Sequence, residues 1–158
     1  MSSIRKRSLP AGWYPANPNQ AEEKLKSWSD SYNPICKNAL SCVVQHAGWE
    51  FSGDLAFRAI ATLKKSVETV VVVGGHLPAV PGILVSKADL FETPFGYLEL
   101  DREIAEALPR YFDVEDDTKA DNTVEIQLPI VKYLFPDARM VYMRVPPTEE
   151  SISAGEHL

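Results

Sequence analysis

The 158-residue sequence has only two cysteines and no long apolar run, and its basic residues are outnumbered by acidic ones. Cys36 and Cys42 do not have Cys-x-x-Cys spacing and follow no secretory signal, so we expect no disulfide framework. No apolar segment approaches the length of a membrane span, and no signal-peptide core follows the first basic residues. We therefore expect a cytoplasmic protein that does not insert into a membrane.

The formal net charge of -6 argues against a nucleic-acid partner, because phosphate contacts require clustered Lys and Arg. The one basic cluster, Arg5-Lys6-Arg7, is interpreted as a solvated arm within an irregular lead-in over residues 1–18. The length and the 45% hydrophobic content fit a single α/β domain over residues 1–158. A last helix near the end of the chain has no glycine or proline stop, so we expect this domain to be incomplete at its C-terminal end.

Two apolar runs, LSCVVQHAG and TVVVVGGH, each end at a histidine with glycine close by. The segment between them, GDLAFRAIATLKK, places its apolar residues at helical spacing. This pattern predicts a strand, a crossover helix and a second strand that is the parallel neighbour of the first. The carboxyl ends of such strands meet at one edge of the sheet, so His46 and His76 should face a common crevice.

The rest of the sequence predicts further helices and strands around this unit. Asn122 and Glu125 have the spacing of a capping box, and the acidic run EDDTKAD before them is expected to be a surface loop. The predicted fold is α/β, with one mixed, mainly parallel sheet and helices on both faces. Helices are expected at 19–31, 101–109, 122–135 and 148–158, and strands at 83–85, 88–91 and 138–145.

His46 and His76 are the residues best suited to bind a metal. Two neutral imidazoles with a carboxylate or thiolate form the usual shell of an open catalytic metal site. The alternative for each is an ordinary hydrogen-bonded or exposed histidine. No third ligand is evident, because Glu50 and Asp54 are interpreted as solvated or helix N-terminal acids and Asp121 as part of the loop surface. Trp13, Tyr14 and Trp49 are candidate pocket walls, with core packing as the alternative.

Five segments, in this order, resemble the Memo (mediator of cell motility) family, which is related in fold to the class III extradiol ring-cleaving dioxygenases. They are AGWYPANP, VVQHAGWEFSG, VVVVGGH, FETPFG followed by LELDREI, and DNTVEIQLP. The resemblance implies a Memo/LigB-like fold with His46 and His76 as metal ligands. It implies Fe(II) as the metal, with Zn or Cu as alternatives, and a further ligand from the family's C-terminal half.

Three departures from the family pattern bear on catalysis. Asn122 stands where the family motif E-H-S-x-E has its histidine, and an amide cannot shuttle a proton. Glu125 keeps the glutamate of that motif, so Glu125 and Asn122 are the two candidate catalytic positions. The motif G-P-S-H has become V-G-G-H at His76, and the family continues for much of a second half beyond the equivalent of Leu158.

Two functions of different class therefore remain open, and whether the protein is an enzyme is left undecided. The first is a non-haem Fe(II) extradiol dioxygenase-like oxidoreductase that acts on a catecholic or other small aromatic substrate. The alternative is a non-catalytic metal- or peptide-binding protein, or a structural subunit, that needs a partner chain to complete the site. In both cases we expect a protein partner or a homo-oligomer.

Overall fold

The computed structural model describes residues 2–34 and 36–157, without the side chain of His157. Its strands form two sheets, where the sequence predicted one. Within these ranges the strands are β1 (Ile4–Arg5), β2 (Thr69–Gly74), β3 (Ile83–Val85), β4 (Leu90–Thr93), β5 (Gly96–Glu99), β6 (Val114–Asp116) and β7 (Arg139–Arg144).

The predicted helices are present, most of them shorter than expected. A π-helical turn, Trp49–Gly53, precedes α2, and a 3-10 turn, Leu108–Arg110, follows α3. None of the helices in the described residues is both long and apolar enough to cross a membrane. The helices are α1 (Pro18–Asp30), α2 (Asp54–Ala61), α3 (Arg102–Ala107), α4 (Asn122–Glu125), α5 (Leu128–Leu134) and α6 (Glu149–His157).

The larger sheet has the strand order β2-β7-β3-β6, and the smaller has the order β1-β4-β5. Strand β2 lies parallel to β7, with Thr69 opposite Arg139 and Gly74 opposite Arg144. The pairs β3–β6 and β1–β4 are also parallel, whereas β3–β7 and the β4–β5 hairpin are antiparallel. The prediction of a mixed, mainly parallel α/β fold is therefore confirmed.

Strand β7 shows why both faces of the larger sheet are covered. Successive side chains of a strand point to opposite faces, and here all of residues 140–143 are buried. Met140 and Tyr142 belong to a core cluster with α1, α2 and α5. Val141 and Met143 belong to a second cluster, on the side of α3 and α6. This packing explains the nearly continuous apolar sequence of the strand.

The strand predicted over residues 40–44 is wrong. Among the described residues this segment forms no ladder with β2, and the one isolated bridge nearby joins Ala39, just before it, to Leu63. Cys42 and Val44 still pack against the core, whereas Val43 is 95% exposed. The apolar run was therefore not sufficient to predict a strand, because a strand also needs a neighbour that satisfies its N–H and C=O groups.

The long helix predicted from Asn122 is divided into α4 and α5. Pro129 has no N–H to donate to the carbonyl four residues earlier, and the chain turns between the two helices instead. The predicted capping box is also wrong. The N-cap is Asp121, whose carboxylate accepts a hydrogen bond from the Thr123 N–H at 2.8 Å.

The acidic run before α4 is not simply a surface loop, and the basic arm is not fully solvated. Asp117 and Asp121 are 2% and 8% exposed, and Arg144 forms ion pairs with both of them. Arg5 lies in β1 and donates to the backbone carbonyl of Asp117. These opposite charges come from distant parts of the chain and form ion pairs and hydrogen bonds with one another. The pairing offsets the free-energy cost of burying them.

Candidate functional site

The structure brings His46 and His76 together. His46 ends the extended segment after α1, and His76 follows β2 by two residues. Their ring centroids are 4.8 Å apart, with an angle of 83° between the ring planes. Both residues are exposed, the His76 side chain by 52%. The predicted crevice edge therefore holds two accessible imidazoles, and their role as metal ligands stays a prediction.

The backbone that carries His76 is tightly constrained. His76 has a φ of 60°, a left-handed conformation that few non-glycine residues adopt. Just before it, the Gly75 N–H donates to the Thr123 hydroxyl at 3.2 Å. A Cβ atom on Gly74 would collide with Thr123 Oγ1 and would lie 2.6 Å from Val124 Cγ2. The end of β2 therefore packs directly against α4, and this close contact requires glycine at residue 74. The same contact fixes the position of the backbone that leads into His76.

Replacing Gly74 by alanine should lower the free energy of unfolding by about 1–3 kcal/mol, because the added methyl group overpacks this contact. Gly75→Ala is a matched control, since a Cβ at that position meets nothing within 4 Å. Urea denaturation of the two variants and the wild type measures the difference. Equal losses in both variants would show that β2 does not need this close approach.

Two amide side chains hold the loop that carries His46. Asn122 Nδ2 donates to the carbonyl oxygen of His46 at 2.9 Å, and Gln127 Nε2 donates to that of Gln45 at 2.7 Å. Asn122, a predicted catalytic residue, thus contacts the backbone of the site. Gln127 is 2% exposed and was not predicted. The only hint in the sequence is an amide within the otherwise apolar run IQLPI.

A buried carboxylate lies behind His76. Asp121 Oδ2 is 3.7 Å from His76 Nδ1 and 3.2 Å from Arg144 Nη1. Arg144 also binds Asp117 through two hydrogen bonds, of 2.6 and 2.7 Å. The 3.7 Å separation exceeds hydrogen-bond distance, so Asp121 faces Nδ1 without bonding to it, and Nε2 is left for a ligand. Asp121 was interpreted as loop surface, which is wrong because it is buried. Arg144 was missed, although an arginine inside the apolar strand MVYMRV indicates a buried charge.

Glu125 anchors the N-terminal segment. Its carboxylate is buried and accepts hydrogen bonds from the N–H groups of Ser8 and Leu9, both at 2.9 Å, and from the Tyr14 hydroxyl at 3.1 Å. The Ser8 hydroxyl is a further donor. Burial, followed by the negative charge of Glu125, raises the pKa of the Tyr14 phenol well above its usual range. Glu125 thus ties Ser8, Leu9 and Tyr14 to α4, and we call this set of hydrogen bonds the clamp. The predicted catalytic role of Glu125 is untested.

The three predicted pocket aromatics lie in one cluster beside the His46 loop. Trp49 is 3% exposed, and its indole N–H donates to the carbonyl of Ile126 at 3.2 Å. Its ring packs against Tyr14, with centroids 6.0 Å apart, and its backbone N–H donates to the carbonyl of Trp13 at 2.8 Å. Trp13 and Tyr14 are half-buried. Trp49 is thus a core residue, and the other two pack over it.

The sequence profile of the family described as Memo-like protein matches residues 5–156. That range includes both histidines and every side chain that positions them. The chain belongs to the Memo-like family.

Several curated relatives are similar to this Memo-like chain over most of its length. A MEMO1 family protein of Pyrobaculum arsenaticum is 30% identical over 154 residues, which is 87% of this chain and 54% of that protein. The protein memo-1 homolog of Caenorhabditis elegans is 32% identical over 133 residues, 80% of this chain and 38% of the relative. A MEMO1 family protein of Methanosarcina barkeri is 31% identical over 134 residues, with coverages of 84% and 50%. The chain therefore spans about half the length of these relatives.

The other acids near His46 are engaged in surface ion pairs in this Memo-like structure. Glu50 pairs with Lys24, and Asp54 pairs with Arg58 at 2.9 Å along α2. Among the residues that the structure describes, no group of three or more His, Cys, Asp and Glu side chains is arranged to hold a metal ion. The described chain thus brings together two imidazoles, whereas an open catalytic site usually has three protein ligands.

Proposed function

We propose that this Memo-like protein binds a metal ion through His46 and His76, which supply two of its ligands. The observation that supports the proposal is the pair of perpendicular, accessible imidazoles 4.8 Å apart. Imidazole nitrogen suits Fe, Zn and Cu. The resemblance to the Memo family favours Fe(II), with Zn and Cu as the alternatives.

The surrounding residues fit this role. Asp121, held in place by Arg144, faces Nδ1 of His76, where a ligating histidine commonly has a carboxylate neighbour. Asn122 holds the His46 backbone and has no proton to exchange at neutral pH. Fe(II) held by two histidines and a carboxylate has open positions for O2 chemistry. Dioxygenase activity on a small aromatic substrate would therefore need a carboxylate beyond the two histidines.

A second candidate function is a non-catalytic or structural subunit whose site is completed by a partner chain. Three large apolar side chains near His46 in the sequence are strongly exposed. These are Leu40, Val43 and Phe51, with exposed fractions of 90%, 95% and 85%. Exposed apolar residues of this kind are typical of surfaces that meet another protein. Such a partner would both cover them and supply the missing ligand.

Metal content after anaerobic purification tests the proposal. We expect near-stoichiometric metal in the wild type and its loss in His46→Ala and His76→Ala, with circular dichroism unchanged. His157→Ala removes the only other histidine of the sequence and should keep the metal. A wild type without metal, also after addition of Fe(II), Zn(II) or Cu(II), would refute the proposal. So would equal loss in all three variants.

Oxygen consumption then separates the two candidate functions. The iron-loaded wild type is mixed with catechol under air, and O2 uptake is followed with an electrode. Uptake that is absent in His76→Ala supports the dioxygenase-like enzyme. Metal binding without uptake supports the non-catalytic alternative.

A further inference from the structure

A cavity of 410 Å³ lies away from the histidine pair, against the N-terminal segment. Its walls include the residues that directly follow β3 and β6, which are parallel neighbours. The carboxyl ends of these two strands therefore meet at this cavity, and β1 closes its other side. Open α/β sheets bind ligands outside the carboxyl ends of parallel strands. A volume of 410 Å³ falls within the range of about 300–1,000 Å³ that is usual for small-molecule sites.

The cavity is basic in a protein whose formal net charge is -6. Its lining holds four basic and two acidic side chains. One of the acids, Asp117, already binds Arg144 through two hydrogen bonds. The basic residues come from three distant parts of the chain, so folding brings like charges together. They are Arg5, Lys6, Lys87 and Lys119. An anionic ligand would offset the repulsion between them.

Arg5 forms a fixed part of the cavity wall. Its side chain is 14% exposed, and its guanidinium lies 4.1 Å from the centre of the Tyr142 ring. It donates to the carbonyl oxygens of Asp117 and Lys119 and to the Ser86 hydroxyl at 3.4 Å. Burial raises the pKa of the Tyr142 phenol to about 12, so this ring stays neutral at physiological pH. The guanidinium therefore contributes positive charge to the cavity, while its N–H groups hold the loop of residues 117–119.

The lysines remain available for a ligand. Lys6 Nζ is 3.7 Å from Glu92, whereas the ammonium groups of Lys87 and Lys119 form no ion pair in the described part of the chain. The backbone N–H groups of these two lysines donate to the carboxylates of Asp116 and Asp117, at 3.0 and 3.2 Å. The hydroxyls of Ser3 and Ser8 also line the cavity, but they already donate to the carboxylates of Asp89 and Glu125, respectively. The guanidinium fork of Arg5 is occupied, so the lysine ammonium groups are the charges left for a ligand, and lysine binds phosphate as a point charge. A phosphate monoester concentrates a charge of about −1.5 to −2 on one group, which suits several ammonium groups better than a single carboxylate does.

We propose that this cavity binds a phosphate-bearing small molecule, either a phosphate monoester or free phosphate. The lysines face the phosphate, and the remaining volume holds the organic part of an ester. The proposal is independent of the metal site, because none of its residues contacts His46 or His76 among the described contacts.

Calorimetric titration of the full chain at constant ionic strength tests this site. The probes are inorganic phosphate, glycerol phosphate and, for comparison, succinate. We expect saturable binding of one or both phosphates and none of succinate. Lys87→Gln/Lys119→Gln should weaken phosphate binding by roughly tenfold or more, since each charge-assisted contact is worth about that factor.

The control removes two lysines outside the cavity, in Lys26→Gln/Lys64→Gln, and should bind phosphate like the wild type. His46→Ala should also bind it normally, which keeps this test separate from that of the metal site. Tighter binding of glycerol phosphate than of phosphate identifies the ester as the ligand class, and the reverse identifies free phosphate. No saturable binding, equal binding of succinate, or equal weakening in the control pair would overturn the proposal.

Discussion

Replacing Arg144 by methionine should lower the free energy of unfolding by about 3–5 kcal/mol, as expected when one partner of a buried ion pair is removed. Arg144 is 4% exposed and is the shared cation of Asp117 and Asp121. Without it, the ion-pair neighbours that remain among the described residues are more distant: Arg5 is 3.9 Å from Asp117, and the His76 ring is 3.7 Å from Asp121. Methionine fills similar space, so the loss reports the charge and not a cavity. Urea denaturation at neutral pH measures it.

Arg139→Met on the same strand is the matched control. Arg139 lies 3.4 Å from Asp101, but its side chain is 44% exposed. Asp101 is buried, but it keeps hydrogen bonds from the Thr69 hydroxyl and the Ile104 N–H when Arg139 is removed. Because solvent reaches the Arg139 end of this pair, we expect a loss of only about 0–1 kcal/mol. Combining Arg144→Met with Asp117→Asn should cost less than the sum of the two single changes, because the second removes a charge that the first leaves unpaired. Similar losses at residues 139 and 144 would show that the buried network does not stabilise the fold.

The buried network also shows what local sequence patterns cannot predict. The helix from Pro18 and strands β2 and β7 were predictable because apolar spacing within a short window determines which face is buried. Whether an acidic residue is buried depends instead on its partner. The partner of both Asp117 and Asp121 is Arg144 in β7, which follows them by 27 and 23 residues. The run EDDTKAD alone therefore predicts an exposed loop.

The histidine pair was predicted for a reason that is only half right. Strand β2 ends two residues before His76, as predicted, but the segment before His46 is not a strand paired with β2. The amides of Asn122 and Gln127 hold that segment instead. The two histidines could be recognised from their sequence motifs, whereas the side chains that hydrogen-bond to the backbone around His46 could not. Asn122 and Glu125 have the spacing of a capping box, yet their side chains bond to two other segments of the chain.

Replacing Glu125 by glutamine should lower the free energy of unfolding by about 2–4 kcal/mol, because several charge-assisted hydrogen bonds are lost or weakened together. The carboxylate accepts from Ser8, Leu9 and Tyr14, whereas an amide offers one acceptor oxygen and turns an NH2 group toward donors. The loss should be concentrated in the N-terminal segment. Amide hydrogen exchange of Ser8 and Leu9 should accelerate far more than that of α2.

Glu99→Gln is the control that tests whether the loss of stability in Glu125→Gln comes from the hydrogen bonds of the clamp. Glu99 is an exposed residue of β5, and its substitution should change stability by less than about 0.5 kcal/mol. The clamp also reaches the histidine site, because Tyr14 packs on Trp49, three residues after His46. Release of residues 8–14 would therefore loosen the start of the π-helical turn. If Glu125→Gln left exchange at Ser8 and Leu9 unchanged, the other contacts of the N-terminal segment, such as β1 and the bond from the Trp49 N–H to the Trp13 carbonyl, would be sufficient to hold it. The interpretation of Glu125 as a clamp would then be wrong.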